Sequence, residues 1–571
     1  MDAQRGIIFI GLAIVSYMMV LAWNDDYGNQ PIASTPAAIT ETLNSPSVSI
    51  SEPTSTLSVS SSINNSDDFV TPEQQATNTD LNNANALIST GQKIRIKTDV
   101  LDIAINLSGG NISEALLTQY KKTLGSEESF ALLENNQSHK YTIESGLYGK
   151  NGFDSSRNGP TPVYEVSADH FELGDGQNEL IVDLNYINDN GINITKRYRF
   201  ERESYLINVS YIINNQSSET WNTNFSGKII RDKSADPSEQ NSMGMQSYLG
   251  MALSTPKEPY EKFDFDDMAE SPINQKVQGG WIAFLQHYFL SAWIPAADTE
   301  FTYQTKVKNG LYLMGFIGPE VSVAAGQQQE ISANLFIGPK IKKNLVLADP
   351  NLDLTIDYGF LFFIATPLYL LLDFLFGIVG NWGVAIILVT LLVKAAFFKL
   401  SAASYRSMAN MRRVAPKLAS LKEQYGDDRQ KMSQGMMELY KKEKINPLGG
   451  CLPVLVQMPV FISLYWVLLE SVELRHAPFF FWITDLSIKD PLFILPIIMG
   501  VSMFIQMSLN PTPPDPVQAK VMKLMPIMFT VFFLWFPAGL VLYWVVNNVL
   551  SIAQQWVITK NIENAAAEKT G

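Results

Sequence analysis

The feature that most constrains the fold is the placement of long apolar runs at the two ends of the chain. An uncharged run covers residues 6–23, directly after Arg5. The other runs all follow residue 359 and cover residues 360–379, 382–400, 451–469, 491–509 and 524–557. Runs of about 20 apolar residues are long enough to span a hydrocarbon core of ~30 Å. The sequence therefore predicts an integral membrane protein.

The region between these ends has the composition of a soluble domain. Residues 24–353 carry 41 acidic and 23 basic residues, a net charge of −18, whereas the rest of the chain carries +4. The mean hydropathy of +0.03 averages over two environments and describes neither. Residues 24–91 are rich in Ser, Thr, Asn and Pro and contain no Lys or Arg. Such a segment cannot bury enough apolar surface to fold, so it is predicted to be a flexible exported tether.

Residues 92–350 are predicted to form a large exported all-β domain. Apolar and polar residues alternate in residues 93–107 and again in residues 180–213. The second stretch contains Asp189-Asn190-Gly191, which favours a hairpin because Asn and Gly tolerate positive φ. Many short strands over about 250 residues indicate a β-sandwich. A helix is expected near residues 113–120.

The topology follows from charge. Residues 1–23 are interpreted as an uncleaved signal anchor with a cytoplasmic N-terminus, since the apolar run exceeds a signal-peptide core and no small-residue cleavage site follows it. Residues 401–446 are strongly basic, and basic loops stay in the cytoplasm. Only an odd number of spans fits between the β domain and this block. Residues 351–380 are therefore predicted to be an amphipathic helix on the outer interface, and residues 381–400 to be the span.

The remaining segments complete six predicted spans with both termini in the cytoplasm. The last apolar run is too long for one helix, and Pro537-Ala538-Gly539 is expected to divide it. The predicted segments are spans at 447–470, 491–509, 521–536 and 539–558, a loop on the exported side at 471–490, a cytoplasmic loop at 510–520 and a cytoplasmic tail at 559–571.

The basic block is predicted to be a helical hairpin broken at residues 426–428. Met and Leu side chains recur at helical spacing on both sides of that break. In one interpretation the hairpin is a solvated cap on the membrane domain. In the other its basic face contacts anionic lipid, RNA or an arriving polypeptide.

Motifs that carry enzyme chemistry are missing from the sequence. The single cysteine, Cys451, excludes an intramolecular disulfide, and the four histidines are scattered. No phosphate-binding loop, nucleophile elbow or zinc motif is present. We therefore expect no enzyme activity, no cofactor, no metal and no small-molecule substrate.

Lys394 is the most informative residue of the membrane region. A charge inside a span is costly and indicates function, although a lysine two turns from the cytoplasmic end can also extend its amine to the interface. Thr390 lies one turn earlier on the same face, and Gln457 and the pair Asn547-Asn548 lie in other spans. These groups either form ordinary interhelical hydrogen bonds or line one wet cavity.

Four segments carry a resemblance to a known family. Residues 279–295, 449–459, 471–486 and 529–543 closely resemble the YidC family of bacterial membrane protein insertases. The resemblance implies an inner-membrane insertase and chaperone that works alone or with the Sec translocon. It also implies a five-helix core with a cytoplasmic hairpin and an exported β-supersandwich. The groove of such a protein is hydrophilic, open to cytoplasm and lipid, and closed outward.

The same resemblance assigns roles to particular residues. Lys394 matches the groove cation, which is usually arginine in the family. The other residues implied to line the groove or contact the substrate are Thr390, Gln457, Tyr543, Trp544 and Asn547, and those implied to shape the core are Pro453 and Pro526. The implied partners are nascent membrane proteins, the Sec translocon, membrane lipids and the ribosome, bound through the hairpin. The tail is not basic, so ribosome docking through it is not expected.

Two other classes of function remain as alternatives. A small-solute transporter or channel would predict internal repeats, and none is visible. A membrane-tethered periplasmic protein that binds or cleaves carbohydrate would need a polar site in the β domain, with paired carboxylates for hydrolysis. Asp264, Asp266 and Asp267 are acidic enough, but their pattern is that of a solvated loop.

Overall fold

The structure is a computed structural model that describes residues 93–155, 158–188, 190–238, 247–425, 428–443, 452–510 and 516–567. The predicted signal anchor at residues 1–23 and the tether at residues 24–91 lie outside the described residues. Within them, a β domain precedes a group of helices.

The described residues of the β domain form two sheets, and their strands lie between Lys93 and Pro339. The strands are β1 Lys93–Lys97, β2 Leu101–Asn106, β3 Asn111–Lys121, β4 Ser129–Asn135, β5 Lys140–Tyr148, β6 His170–Glu172, β7 Glu179–Ile187, β8 Ile192–Glu201, β9 Leu206–Asn215, β10 Trp221–Arg231, β11 Gly250–Ser254, β12 Glu261–Phe263, β13 Asn274–Gln278, β14 Trp281–Leu285, β15 Phe289–Ile294, β16 Glu300–Lys308, β17 Leu311–Val323 and β18 Gln328–Pro339. Ten strands form one sheet in the order β13-β16-β17-β10-β5-β4-β3-β2-β1-β6. Eight form the other in the order β12-β11-β14-β15-β18-β9-β8-β7.

Side chains from the two sheets meet in one core. The Tyr141 ring of β5 lies 5.3 Å from the Phe284 ring of β14, and its hydroxyl is 2.6 Å from Ser291 Oγ of β15. Trp293 of β15 packs edge-on against Phe316 of β17, with ring centroids 5.9 Å apart. Facing sheets that share such a core form a β-sandwich, so the predicted class of this domain is confirmed.

One local prediction for the β domain is confirmed and another is wrong. Strands β7 and β8 pair as an antiparallel hairpin, and Gly191 has φ +78°, as expected for its turn. The helix expected near residues 113–120 does not exist, because these residues belong to β3. Helix-favouring Glu, Ala and Leu occur there, but β3 pairs with both β2 and β4. Tertiary pairing overrides local propensity at this position.

Among the described residues, one α-helix lies inside the β domain, between β12 and β13, and the others follow it. In chain order they are α1 Phe265–Glu270, α2 Lys342–Ala348, α3 Phe362–Val379, α4 Trp382–Ala396, α5 Phe398–Arg413, α6 Ala415–Tyr425, α7 Arg429–Lys442, α8 Leu452–Glu470, α9 Ile494–Ser508, α10 Pro516–Phe532 and α11 Ala538–Ala567. The axes of α4 and α5 differ in direction by 67° across a break at Phe397. The apolar run at residues 382–400 is therefore not one straight helix. Its last residues belong to α5, which continues in a new direction.

Few described helices are long and apolar enough to cross a membrane unaided. The segment Gly359–Val379 has 21 residues and a mean hydropathy of 2.1. The bent pair of α4 and α5 is a second candidate if both helices count as one span, and Val456–Glu470 and α9 are apolar but shorter. The count of six spans, and the interfacial position predicted for residues 351–380, therefore stay predictions.

The predicted interruptions occur where turn residues were found. Helix α10 ends at Phe532 and α11 begins at Ala538, which confirms the break at Pro537-Ala538-Gly539. Helix α11 then continues to Ala567, past the predicted span end at 558. Helix α6 ends at Tyr425 and α7 begins at Arg429, on either side of the break predicted at residues 426–428. Residues 426–427 lie outside the described part. The Lys417 amine, 2.5 Å from the Glu443 carboxylate, ties the two helices together.

The β domain is attached to the end of α8. His287 Nε2 donates to the Leu469 carbonyl at 2.9 Å, which fixes the proton on this nitrogen. The Lys340 amine lies 3.9 Å from the Glu470 carboxylate, and both side chains are almost fully buried. Arg475, just after α8, donates to the Lys122 carbonyl of the β domain at 3.0 Å. The two parts therefore meet through polar contacts, of which those of His287 and Lys340 are buried and that of Arg475 is exposed.

We predict that acid weakens this junction through His287. Burial, together with the positive charge of Lys340, lowers the pKa of His287 from 6.5 to about 4, although Asp236 faces it. The unfolded chain takes up the proton near pH 6.5 and the folded chain only near pH 4. The free energy of unfolding therefore falls as the pH drops through this window. Thermal unfolding in detergent at several pH values should show a smaller pH slope for His287→Gln than for the wild type.

The matched control is His170→Gln, because His170 is exposed on β6. This variant should keep the wild-type slope. Equal slopes for all three proteins between pH 6.5 and 4 would contradict the assignment.

A second prediction concerns the contact between α9 and α10. A Cβ at Gly500 would lie 1.9 Å from Thr530 Oγ1, which is held by a 2.7 Å hydrogen bond to the Pro526 carbonyl. Gly500→Ala should therefore force the helices apart and lower the free energy of unfolding by about 1–3 kcal/mol. Gly377→Ala in α3 is the control, because a Cβ there meets nothing within 4 Å. It should be neutral or stabilising in the same thermal-unfolding assay, and an equal loss in both variants would contradict the packing.

Candidate functional site

A cavity of about 300 Å³ lies between α4, α5, α8, α9, α10 and α11. Its wall is polar on some sides and formed by flexible thioethers on others. The polar and aromatic residues that line it are Lys394, Ser401, Ser404, Tyr405, Gln457, Phe461, Gln506, Asn510, Phe529, Tyr543, Trp544, Asn547, Asn548, Ser551 and Gln555. The methionines are Met408, Met458, Met503, Met507 and Met525.

The cavity lies in the half of the helical domain that is farther from the β domain. Helix α8 meets the β domain at its last residue, Glu470, whereas it lines the cavity with residues 457–461. Helix α4 begins beside the loop after α8, where Asn381 donates to the Pro478 carbonyl, and it reaches the cavity only at Val393 and Lys394. The end of the cavity that faces away from the β domain therefore adjoins α5, which leads into the helical hairpin.

Lys394 is buried and directed at α11. Only 8% of its surface is exposed, and its amine donates to Ser551 Oγ at 2.8 Å. Ser551 Oγ in turn donates to the Asn547 carbonyl at 2.6 Å. Within the described ranges no carboxylate forms an ion pair with Lys394. Its charge is therefore met by a neutral hydroxyl, which leaves it able to attract an anionic group.

The remaining polar groups pair across helices and leave spare capacity. Gln457 Nε2 lies 3.5 Å from Ser401 Oγ, and Asn548 Nδ2 donates to Ser502 Oγ at 3.1 Å. Gln555 Nε2 donates to Asn510 Oδ1 at 3.1 Å, but Gln555 Oε1 is buried without a partner among the described residues. Such amides hold the helices together and can also exchange a partner for an entering polar group.

Aromatic rings close the cavity on the side of the β domain. Phe461 lies 4.6 Å from Trp544 and 5.7 Å from Tyr543, measured between ring centroids. Phe533 continues the layer at 5.5 Å from Trp544 and 5.0 Å from Phe536. These rings form a packed aromatic layer between the cavity and the end of the helices that carries the β domain.

The structure brings most of the residues predicted from the sequence into this one cavity. Lys394, Gln457, Tyr543, Trp544 and Asn547 all line it. Thr390 is buried one turn from Lys394 but is not among the lining residues, because its hydroxyl donates to the Ile386 carbonyl of its own helix at 2.7 Å.

The two prolines have structural positions. Pro526 is buried inside α10, where its carbonyl accepts from the Thr530 hydroxyl. Pro453 belongs to the first turn of α8, whose side chains at residues 452–455 lie outside the described part.

Sequence reasoning missed several lining residues, including Ser401, Ser404, Gln506, Ser551 and Gln555. A signal for part of the set was available in α11. Trp544, Asn547, Ser551 and Gln555 recur at intervals of three or four in a helix that is otherwise largely apolar. This spacing predicts one polar face. Ser401 and Ser404 were instead attributed to the start of the basic hairpin.

Comparison with known proteins gives the family of the chain. Residues 93–371 match the family described as YidC periplasmic domain, and residues 374–565 match the family described as 60Kd inner membrane protein. The membrane protein insertase YidC of Marinobacter nauticus is 55% identical over 575 residues, covering 100% of both chains. The chain belongs to the YidC family. The membrane protein insertase YidC of Hahella chejuensis is 56% identical to the chain over 579 residues, also covering 100% of both chains.

The family assignment confirms the resemblance found in the sequence. It makes the β-sandwich the periplasmic domain of an inner-membrane protein, and it is a family of insertases and not of enzymes. Among solved structures, the chain is similar to an active YidC insertase with its first transmembrane domain resolved. The two are 17% identical with a TM-score of 0.37, over 82% of this chain and 92% of that chain.

Proposed function

We propose that this protein inserts and folds membrane proteins in the inner membrane, and that the cavity around Lys394 receives the polar part of an entering segment. One observation carries the second statement. A buried amine, without a carboxylate partner among the described residues, faces a cavity of about 300 Å³ between six helices. A carboxylate or a polar backbone group of a client can take the place of the Ser551 hydroxyl.

The physical benefit is a lower barrier to crossing. Moving a charged side chain to the bilayer centre costs several kcal/mol or more. The cavity offers the amides of Gln457, Asn547 and Asn548 and one cation in place of water. The polar lining of the cavity ends at the aromatic layer, so it stabilises the polar segment over only part of the path across the bilayer. The apolar part of the client supplies the remaining free energy for insertion by entering lipid.

The short lengths of α9 and α10 favour a locally thinned bilayer beside the cavity. Helix α9 has 15 residues and α10 has 17, which correspond to about 22 and 26 Å at 1.5 Å per residue. Both are shorter than a hydrocarbon core of ~30 Å, and a bilayer thins to match short helices. Their outer faces expose apolar residues such as Val501, Phe504 and Leu524. A client leaving between these helices meets lipid directly, without nucleotide hydrolysis.

The topology and partners complete the proposal. We place both termini and the hairpin of α6 and α7 in the cytoplasm, with six spans, so that the cavity opens to cytoplasm and lipid and the aromatic layer closes it outward. The exposed side chains of Lys417 in α6 and Lys431 in α7 give the hairpin a basic surface that suits the ribosome or an arriving chain. Sec translocon and lipid contacts belong to the same proposal, with action alone or beside Sec.

Substitution of Lys394 tests the role of the cation. Lys394→Arg should support insertion, because it keeps the charge. Lys394→Ala should impair a client with acidic flanking residues more than a neutral one, and Lys394→Glu should be worst because it repels the same carboxylates. The measurement is insertion of an acidic-tailed and a neutral single-span client into proteoliposomes at matched protein levels.

Lys399→Ala and Lys399→Glu are the matched controls. Lys399 lies five residues later on the same segment, but it is exposed and does not line the cavity. Both controls should insert both clients normally. Equal insertion of the two clients by the Ala and Glu variants of Lys394 would show that the charge is not used.

The hairpin should matter more than the C-terminal tail. Replacing α6 and α7 by a short Gly-Ser linker should abolish ribosome-coupled insertion, because it removes most of the exposed basic surface. Deleting residues 564–571 should be tolerated, since that segment is not basic. Co-sedimentation with ribosomes and insertion of a nascent client provide the two measurements, and the reverse ranking would contradict the proposal.

A further inference from the structure

The loop between α8 and α9 contains a tight turn, residues 479–483, that carries two exposed phenylalanines. The Phe479 N–H donates to the Ile483 carbonyl at 2.9 Å, and the Ile483 N–H donates to the Phe480 carbonyl at 3.3 Å. Phe480 and Phe481 therefore lie at the tip of this aromatic turn, where they are 51% and 94% exposed. Exposed apolar side chains that cluster in this way indicate an interaction surface.

Phe481 is held in a backbone conformation that bulky residues rarely adopt. Its φ is +59°, in the left-handed region where glycine has no steric penalty and a residue with a Cβ does. A glycine at this position would remove both the strain and the exposed ring. Backbone strain of this kind is concentrated at binding and functional sites, which indicates a use for the ring.

The aromatic turn is fixed to the start of α9 through the Asp490 carboxylate. Trp482 Nε1 donates to Asp490 Oδ1 at 3.0 Å. The backbone N–H groups of Leu492 and Leu495 donate to the same carboxylate at 2.9 and 2.7 Å. Asp490 is only 1% exposed. The two phenylalanines are therefore presented on a rigid base, and rigid side chains lose little conformational entropy when they bind.

The exposed apolar surface continues from the aromatic turn onto α9. Leu492 and Phe493, just before the helix, are 57% and 38% exposed. Ile497, Val501 and Phe504 follow at intervals of four and three along one face of α9, and each is more than half exposed. In a protein of the inner membrane, hydrocarbon is the surrounding that fits such a row.

The aromatic turn lies at the end of the helices that carries the periplasmic domain. Arg475, at the start of the same loop, donates to the Lys122 carbonyl of that domain. Asn381, at the start of α4, donates to the Pro478 carbonyl at 3.3 Å. The leaflet that this turn can reach is therefore the periplasmic one.

The chemistry of the aromatic turn favours lipid over a protein partner. Residues 479–483 contain no charged side chain, and their one polar side-chain group, Trp482 Nε1, already donates to Asp490. Protein interfaces usually carry about one hydrogen bond per 100–200 Å². The side chains of this turn have none to offer, whereas hydrocarbon requires none.

We propose that the aromatic turn inserts Phe480 and Phe481 into the hydrocarbon of the periplasmic leaflet and thereby anchors the start of α9 in the membrane. The contact is with bulk lipid and not with a client, so it goes beyond the proposed insertion of membrane proteins. It requires that α9 lie in the membrane, but it does not depend on the role of Lys394. A failure of the anchor would leave the proposed role of the cavity intact.

The test measures the depth of a fluorescent label on the full-length protein. Cys451, the single cysteine, is replaced by Ser, and Phe481→Cys is labelled with bimane. The protein is reconstituted in phosphatidylcholine nanodiscs that contain a lipid spin-labelled on the upper acyl chain or on the headgroup. The acyl-chain label should quench the bimane several-fold more strongly than the headgroup label, and dissolved iodide should hardly quench it. Thr484→Cys is the matched control, because Thr484 is exposed on the same loop but polar, and its label should be quenched by iodide.

A second variant tests the rings themselves. Phe480→Ser/Phe481→Gly removes both rings and should stay folded, because glycine is relaxed at this φ, and its thermal-unfolding midpoint checks this. With the bimane moved to Leu492→Cys, iodide quenching should rise several-fold in this variant because the start of α9 loses its anchor.

Three results would overturn the proposal. Iodide could quench the labels at positions 481 and 484 equally, which would place the aromatic turn in water. The label at position 481 could be protected from iodide and from both spin-labelled lipids, which would mean that a protein surface covers it. Iodide quenching at position 492 could be the same with and without the two rings, which would show that they do not anchor α9.

Discussion

The organisation of the helical domain depends on placing one ammonium group inside it. An uncompensated charge in a low-dielectric interior is costly, so the groups around Lys394 must supply hydrogen bonds without neutralising it. Ser551 supplies the direct bond, and the amides of neighbouring helices border the same space. Polar residues that would be unfavourable towards lipid are therefore gathered on the inner faces of the six helices around the cavity, and apolar residues such as Val501 and Phe504 remain outside.

Breaks and polar positions in the chain were predictable, while span assignment was not. Gly191 and the sequence Pro537-Ala538-Gly539 have strong local geometry, so the hairpin and the helix break were correct. Lys394, Gln457 and Asn547 were recognisable because polar residues are rare in apolar runs. Segment Gly359–Val379 passes the length and hydropathy tests for a span yet follows a β domain closely, and sequence alone does not decide between crossing and lying on the surface.

The errors have physical causes that act beyond a local window. The helix expected near residues 113–120 failed because strand pairing on both sides outweighs the propensity of Glu, Ala and Leu. Thr390 was implied to line the groove by the family resemblance; in the structure its hydroxyl donates to the Ile386 carbonyl of its own helix, and it is not among the residues that line the cavity. Ser401 and Ser404 were missed because the chain turns by 67° at Phe397, which brings residues after the apolar run back to the cavity.

Five methionines among the residues that line the cavity bear on which client segments the proposed function allows. The thioether side chain is unbranched and polarizable, so a wall of Met408, Met458, Met503, Met507 and Met525 reshapes itself around different apolar surfaces. Such a wall binds apolar surfaces without requiring one particular shape, which suits the proposed role of binding unrelated sequences. It also ties the breadth of recognition to redox conditions. Oxidation to the sulfoxide would make these side chains polar and would remove the adaptability that the proposed function requires of this wall.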